Sequence, residues 1–149
     1  MKLELGAGPV PTPGFVNLDP LYGKGVFRRR AQDGRFPLAN DSVEAARCSH
    51  LMEHIPAGAE RIFVMNEVHR VLVPGGLFEV IVPLFPGWGA IADPTHVSLW
   101  VEQSFWYFTG QWAAELSRGY GIRRWEMASW TTHAHPWGTL GCAVLRKPA

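Results

Sequence analysis

The chain has 149 residues, which fits a single domain, and at this size roughly 68–70% of the unfolded surface can be buried without disulfide or metal staples. Apolar residues make up 47% and charged residues 18%, a globular balance and not a disordered one. A formal charge of +1 offers no field for nucleic acid or an anionic membrane, and two cysteines are too few for a disulfide framework or a zinc site. The chain enters an apolar pattern at Leu3 and contains no run near ~18 apolar residues, so neither a signal peptide nor a membrane span is expected. The expectation is a soluble cytoplasmic protein in which Cys48 and Cys142 are buried, reduced thiols.

No internal repeat, linker or low-complexity tract divides the chain, and one domain over 1–149 is expected. Met1 to Leu5 reads as a short first strand that ends in Gly6-Ala7-Gly8. Pro9 to Gly14 is too rich in proline and glycine for a helix. Phe15 to Asp19 reads as a second strand with an acid at its carboxyl end. Residues 20–35 read as loop with at most a helical turn near Phe27, and Arg28-Arg29-Arg30 as a solvated basic stretch within it. Val43 to Ser49 is a strand introduced by the turn-prone Asn40-Asp41-Ser42.

Ala57 to Val73 is the clearest helix, with Ile62, Met65, Val68 and Leu72 on one face, and Pro74-Gly75-Gly76 is its stop. Leu77 to Val82 is apolar enough for a strand buried on both faces. Glu102 to Arg118 reads as a second helix stopped near Gly119. Ile122 to Trp130 and Thr139 to Arg146 read as an antiparallel closing pair. Strands alternating with helices predict an open α/β sheet.

Glycines at the end of a first strand let the backbone approach a ligand, and an acid at the end of the second strand can accept both hydroxyls of a ribose. Asp19 stands only eleven positions after Gly8. The dinucleotide fingerprint spaces them by about 20, with a full helix between. That first crossover helix must be lost or reduced here, which disfavours a pyrophosphate-bearing cofactor that needs a helix N-terminus.

Three further stretches complete the pattern. They are Phe36-Pro37-Leu38-Ala39-Asn40-Asp41-Ser42-Val43-Glu44, Ser49-His50-Leu51-Met52-Glu53-His54-Ile55, and Glu67 to Gly76 with its Arg70-Val71-Leu72-Val73-Pro74-Gly75-Gly76 ending. With Leu3 to Asp19 before them, in this order, they resemble the class I S-adenosylmethionine-dependent methyltransferases, in the small-molecule, type 11-like branch. The resemblance runs from residue 3 to about 108. It implies a Rossmann-like open, mostly parallel sheet with an antiparallel closing hairpin, in a minimal form with a reduced first crossover helix.

It also implies S-adenosylmethionine as cofactor and methyl transfer to a small-molecule acceptor that the sequence does not identify. On this resemblance Glu4, Gly6, Ala7 and Gly8 line the methionine end, Asp19 holds the ribose, and Asp33 with Gly34 serves the adenine. Ser49 and His50 face the sulfonium and the acceptor. Glu44 departs from the Asp usual in the family. Ser49-His50-Leu51-Met52 stands where nucleic-acid amino-methyltransferases carry N-P-P-Y, so no nucleic-acid substrate is expected.

His50, His54 and His96 fall in loops at the expected carboxyl edge of the sheet. His96 and His50 are candidate catalytic groups, with His96 in Asp93-Pro94-Thr95-His96 a general base or a loop-ordering residue. His54 reads as a packing or capping residue, and His133-Ala134-His135 as a solvated loop, so no metal site is expected. All the tryptophans lie between Trp88 and Trp137, to serve the core and subunit contacts of a possible homodimer. Trp88, Trp100 and Trp106 alternatively form the wall of an acceptor pocket. Two rival functions stay open. One is a non-catalytic domain that binds the cofactor or nothing. The other is a nicotinamide oxidoreductase, which the missing G-x-G-x-x-G counts against.

Overall fold

Six strands form one sheet in the computed structural model, which describes residues 1–21 and 27–149. Among the described residues they are β1 (Lys2–Leu5), β2 (Phe15–Leu18), β3 (Val43–Ser49), β4 (Leu72–Pro83), β5 (Glu126–His135) and β6 (Gly138–Arg146). Their spatial order is β2-β1-β3-β4-β6-β5. The first four run parallel; β6 is antiparallel to β4, and β5 to β6. The expected open, mostly parallel sheet with its closing hairpin is the one found. Leu3, Leu5, Val43, Ala46, Cys48, Phe78, Val80 and Val82 of the central strands are all buried. In β1 and from Ala46 and Phe78 onward these positions alternate and share one face. The other face carries Glu4, Arg47 and Glu79, and Leu77, expected in a strand buried on both faces, is 38% exposed. β5, at the sheet edge, is mostly exposed.

Nine residues, Gly6 to Gly14, join β1 to β2, fewer than the dozen or more that parallel strands usually need. No helix forms there. The buried Glu4 closes the short path by accepting hydrogen bonds from the amide and the hydroxyl of Thr12, each at 2.7 Å. The helical turn expected near Phe27 lies partly outside the described residues, and Phe27 itself forms a bridge with Leu18.

Helix α1 (Ala59–Val71) buries Val64, Met65, Val68 and Val71 at helical spacing. It is shorter at both ends than the Ala57–Val73 expected. Leu72, expected on its apolar face, has extended torsions and begins β4. Pro74-Gly75-Gly76 therefore lies inside the strand as a bulge. Val43 pairs with Leu72 and Ala45 with Leu77, and Gly75 takes φ +80° to absorb the extra residues.

The expected helix from Glu102 to Arg118 is two helices, α3 (Glu102–Thr109) and α4 (Ala114–Gly119), if α2 is given to the turn Trp88–Ile91. Gly110 at φ +69° ends α3 in a left-handed cap, and Ala113 at φ +53° opens α4. β5 begins at Glu126 rather than Ile122 and runs through His133-Ala134-His135, the segment expected as a solvated loop. Trp100 and Trp125 are fully buried, whereas Trp88, Trp112 and Trp137 are exposed. Among the described residues no helix is long and apolar enough to cross a membrane.

Candidate active site

The parallel strands all deliver their carboxyl ends to one edge, and the glycine turn sits there after β1. Gly6 and Gly8 both adopt left-handed torsions, φ +66° and +61°. A Cβ on Gly6 would stand 3.0 Å from Leu51 Cδ1, whereas one on Gly8 would meet nothing within 4 Å. The turn is tied to the end of β2. The Gly8 amide donates to Asp19 Oδ2 at 3.1 Å, the Leu21 amide to Oδ1 at 2.8 Å, and the Gly6 amide to the Leu18 carbonyl at 2.8 Å.

Two voids open on this edge. The larger, of about 590 Å³, is lined by Gly6, Gly8, Asp19, Arg30, Gln32 and Leu51 among others. The smaller, of about 340 Å³, is lined by Glu53, Leu84, Trp88, His96, His135 and Trp137 among others. His50 and His54 line both. The two voids thus meet at a pair of imidazoles.

Of the residues expected at the cofactor, Gly6, Gly8, Asp19 and His50 line the larger cleft. Glu4 does not line it; its carboxylate is engaged by Thr12 and stands 3.8 Å from Arg47 Nε. Ala7, Asp33, Gly34 and Ser49 also lie outside the lining, and the segment before Asp33 contributes Arg30, Ala31 and Gln32 instead. Arg30 had no signal beyond its basic run. His96 lines the smaller void, as does Trp88, which meets Trp137 edge-on at 6.4 Å. Trp100 is core, against Phe105, and neither it nor Trp106 lines this void.

The connection after β4 folds back over a 3-10 turn, Met52–His54. The amides of Val97 and Ser98 donate to the Glu53 carbonyl at 2.9 and 3.1 Å, and Ser98 Oγ donates to the Met52 carbonyl at 3.0 Å. That brings the His96 ring to 4.7 Å from the His54 ring, edge to face. His50, at φ +55°, holds Nδ1 3.3 Å from Glu53 Oε1. The Glu53 carboxylate raises the His50 pKa above its ordinary value, more than burial lowers it. Asp93 is held below the usual carboxylate range by the hydroxyl and amide of Thr95.

No family model matches the sequence, and no curated protein matches it. Solved structures do match its fold. A Methanosarcina mazei S-adenosylmethionine-dependent methyltransferase superposes with TM-score 0.69 at 14% identity, over 99% of this chain and 92% of that one. The Burkholderia thailandensis 1,6-didemethyltoxoflavin N1-methyltransferase, with bound 1,6-didemethyltoxoflavin and S-adenosylhomocysteine, gives 0.67 at 12%, over 99% and 71%. The N-methyltransferase NodS of Bradyrhizobium japonicum gives 0.65 at 8%, over 99% and 85%. The chain has the class I methyltransferase fold.

Proposed function

We propose that the larger cleft binds S-adenosylmethionine and that the methyl group passes to a small molecule seated in the smaller void. The observation that carries this reading is that the two voids share His50 and His54 at the carboxyl edge of a methyltransferase-type sheet. The residues suit the cofactor. Gly8 leaves space on which a side chain would intrude, and Asp19 places a carboxylate in the cleft where ribose hydroxyls can donate to it. Arg30 and Gln32 add polar groups, and Leu51 and Ile55 an apolar wall.

Bound there, S-adenosylmethionine supplies an electrophilic methyl group on a sulfonium. The chain's own task is to align donor and acceptor and keep water out, a positioning effect worth up to roughly 7–11 kcal/mol. Trp88 and Trp137 give the acceptor void aromatic surface, and Leu84 and Leu140 give it aliphatic surface. His50 and His96 are imidazoles on that void able to take a proton from a hydroxyl acceptor; an unprotonated amine needs no base.

Calorimetry with S-adenosylhomocysteine tests the cofactor half. Asp19→Ala is expected to weaken binding by about 1.5–3 kcal/mol, the scale of hydrogen bonds to a charged group. Wild-type affinity in the folded variant would remove Asp19 from the site. Release of labelled methyl to a panel of hydroxyl, amine and thiol acceptors tests the transfer.

A further inference from the structure

Glu53 is 1% exposed, and neither of its carboxylate oxygens has a well-aligned hydrogen-bond donor; the one close contact is the His50 ring, on Oε1. An ionised carboxylate so buried is costly unless paired. His50 Nδ1 stands 3.3 Å from Oε1, on a half-exposed ring that carries charge only when protonated. Glu53 faces the smaller void beside His54 and His96, and one potential ligand atom from each of the three lies within 4.8 Å of the other two.

The hydrogen bonds of the two imidazoles select their tautomers. The Thr95 hydroxyl donates to Asp93 Oδ1 at 2.6 Å, so its oxygen is left to accept from His54 Nδ1 at 3.1 Å. His96 Nδ1 faces the Ala90 carbonyl at 3.3 Å, and a carbonyl can only accept. Both rings in their neutral form then carry the proton on Nδ1 and present the Nε2 lone pair. Asp93 Oδ2 is 3.8 Å from His96 Nε2, too far to occupy it. Imidazoles oriented by a second partner in this way are the usual form of histidine metal ligands.

We propose that Glu53, His54 and His96 bind one divalent first-row transition-metal ion at the wall of the acceptor void. Two imidazole nitrogens and one carboxylate oxygen are the donor set of a zinc-type site that keeps a position open for water or substrate, whereas magnesium favours oxygen ligands. Ligands on a tetrahedral zinc stand about 3.4 Å apart, so atoms within 4.8 Å of one another must close by at most about 1.4 Å. The sequence offered His54 as a packing or capping residue and His96 as a general base or a loop-ordering residue. With a metal bound both are ligands, and His50 is left as the base. On the methyl-transfer reading, on which this consequence rests, the open position would take an oxygen or nitrogen donor of the acceptor.

Zinc titration of the untagged, chelator-treated chain by calorimetry tests the site. One equivalent is expected, with affinity lowered on the order of 100-fold or more in His54→Ala and His96→Ala, since losing an outer-shell partner alone costs 10–100-fold. His133→Ala, on the exposed part of β5, should bind zinc as the wild type does. Absence of a zinc site in the wild type overturns the proposal, as does full affinity in both ligand variants or a loss confined to His133→Ala. If a variant fails to fold, the visible absorption of cobalt on the wild type decides: intense four- or five-coordinate bands support the site, and weak octahedral ones overturn it. S-adenosylhomocysteine binding is measured on the same samples. Zinc failing while that binding persists removes only the metal; the converse removes only the cofactor reading.

Discussion

Replacing Arg70 by Met should be among the most damaging single changes outside the apolar core. The guanidinium grips the Glu67 carboxylate with two bonds, Nε to Oε1 and Nη2 to Oε2, both at 2.8 Å. It also donates to the carbonyls of Leu38 at 2.8 Å and Phe36 at 3.1 Å, and to Asn40 Oδ1 at 2.9 Å. Glu67 in turn accepts the Phe36 amide at 2.8 Å. Both side chains are only about a tenth exposed, 10% and 11%. Removing the cation leaves a nearly buried carboxylate with a single amide partner and two loop carbonyls without donors. Breaking such a pair from one side costs about 3–5 kcal/mol. Some water will reach a site on the helix flank, so about 3 kcal/mol is expected, a fall in melting temperature of roughly 6–12 °C at 2–4 °C per kcal/mol.

Burial pushes the Glu67 pKa up, but Arg70 and the Phe36 amide outweigh it and leave it below the ordinary 4.5. The clamp's contribution is therefore complete above the unfolded value near 4.5 and fades as pH falls through the lower folded value. Urea unfolding at pH 7, followed by tryptophan fluorescence, gives the free energy. A loss under 1 kcal/mol, or a wild-type acid limb that Arg70→Met leaves unchanged, would refute the clamp.

Gly8→Val should abolish S-adenosylhomocysteine binding by calorimetry while circular dichroism still reports the fold: a Cβ there meets no protein atom within 4 Å, and the left-handed φ of +61° costs a side chain about 1–2 kcal/mol. Unchanged affinity would make the glycine a turn residue alone. His69 donates Nε2–H to the Arg124 carbonyl at 3.1 Å, and burial lowers its pKa to about 4. The unfolded chain takes up this proton near pH 6.5 and the folded chain only near 4, so stability is full above 6.5 and falls between those values. Full linkage would come to about 3 kcal/mol, which screening at this half-buried ring reduces to about 1. His69→Gln should remove that slope from unfolding curves taken between pH 6.5 and 4, and an unchanged slope would refute it.

The strands were legible because apolar and β-branched runs report burial directly, and β3 stands at Val43–Ser49 as the sequence has it. Element ends failed where one residue has two uses. Pro74-Gly75-Gly76 stops a helix, but the same left-handed Gly75 also makes a bulge; pairing with β3 on both sides of it and the bonds of Gly75 and Gly76 to Lys147 decide in favour of the strand. Gly110 inside a helical apolar pattern can be tolerated or can cap. Here it caps, and Arg124 packs where a Cβ would stand, 3.4 Å from Cζ.

The site divides along the same line. Gly6, Gly8 and Asp19 are near neighbours at the ends of adjacent strands, so their spacing carries their meeting. Arg70 is visible in the run before Pro74, but nothing local says that its guanidinium closes the segment from Phe36 to Asn40. Glu53 and His96 come from segments on either side of α1 and β4, and what joins them is a backbone contact, the Val97 and Ser98 amides on the Glu53 carbonyl. Any residue other than proline supplies such an amide, so the contact leaves no mark in side-chain identity. A histidine at position 54, taken with its own neighbours, is accordingly a packing residue. It becomes a potential ligand only when the returning chain places Thr95 on its Nδ1 and His96 against its ring. A metal site assembled in this way is unreadable from ligand spacing, because its spacing is set by the loop register and not by a helix or a turn.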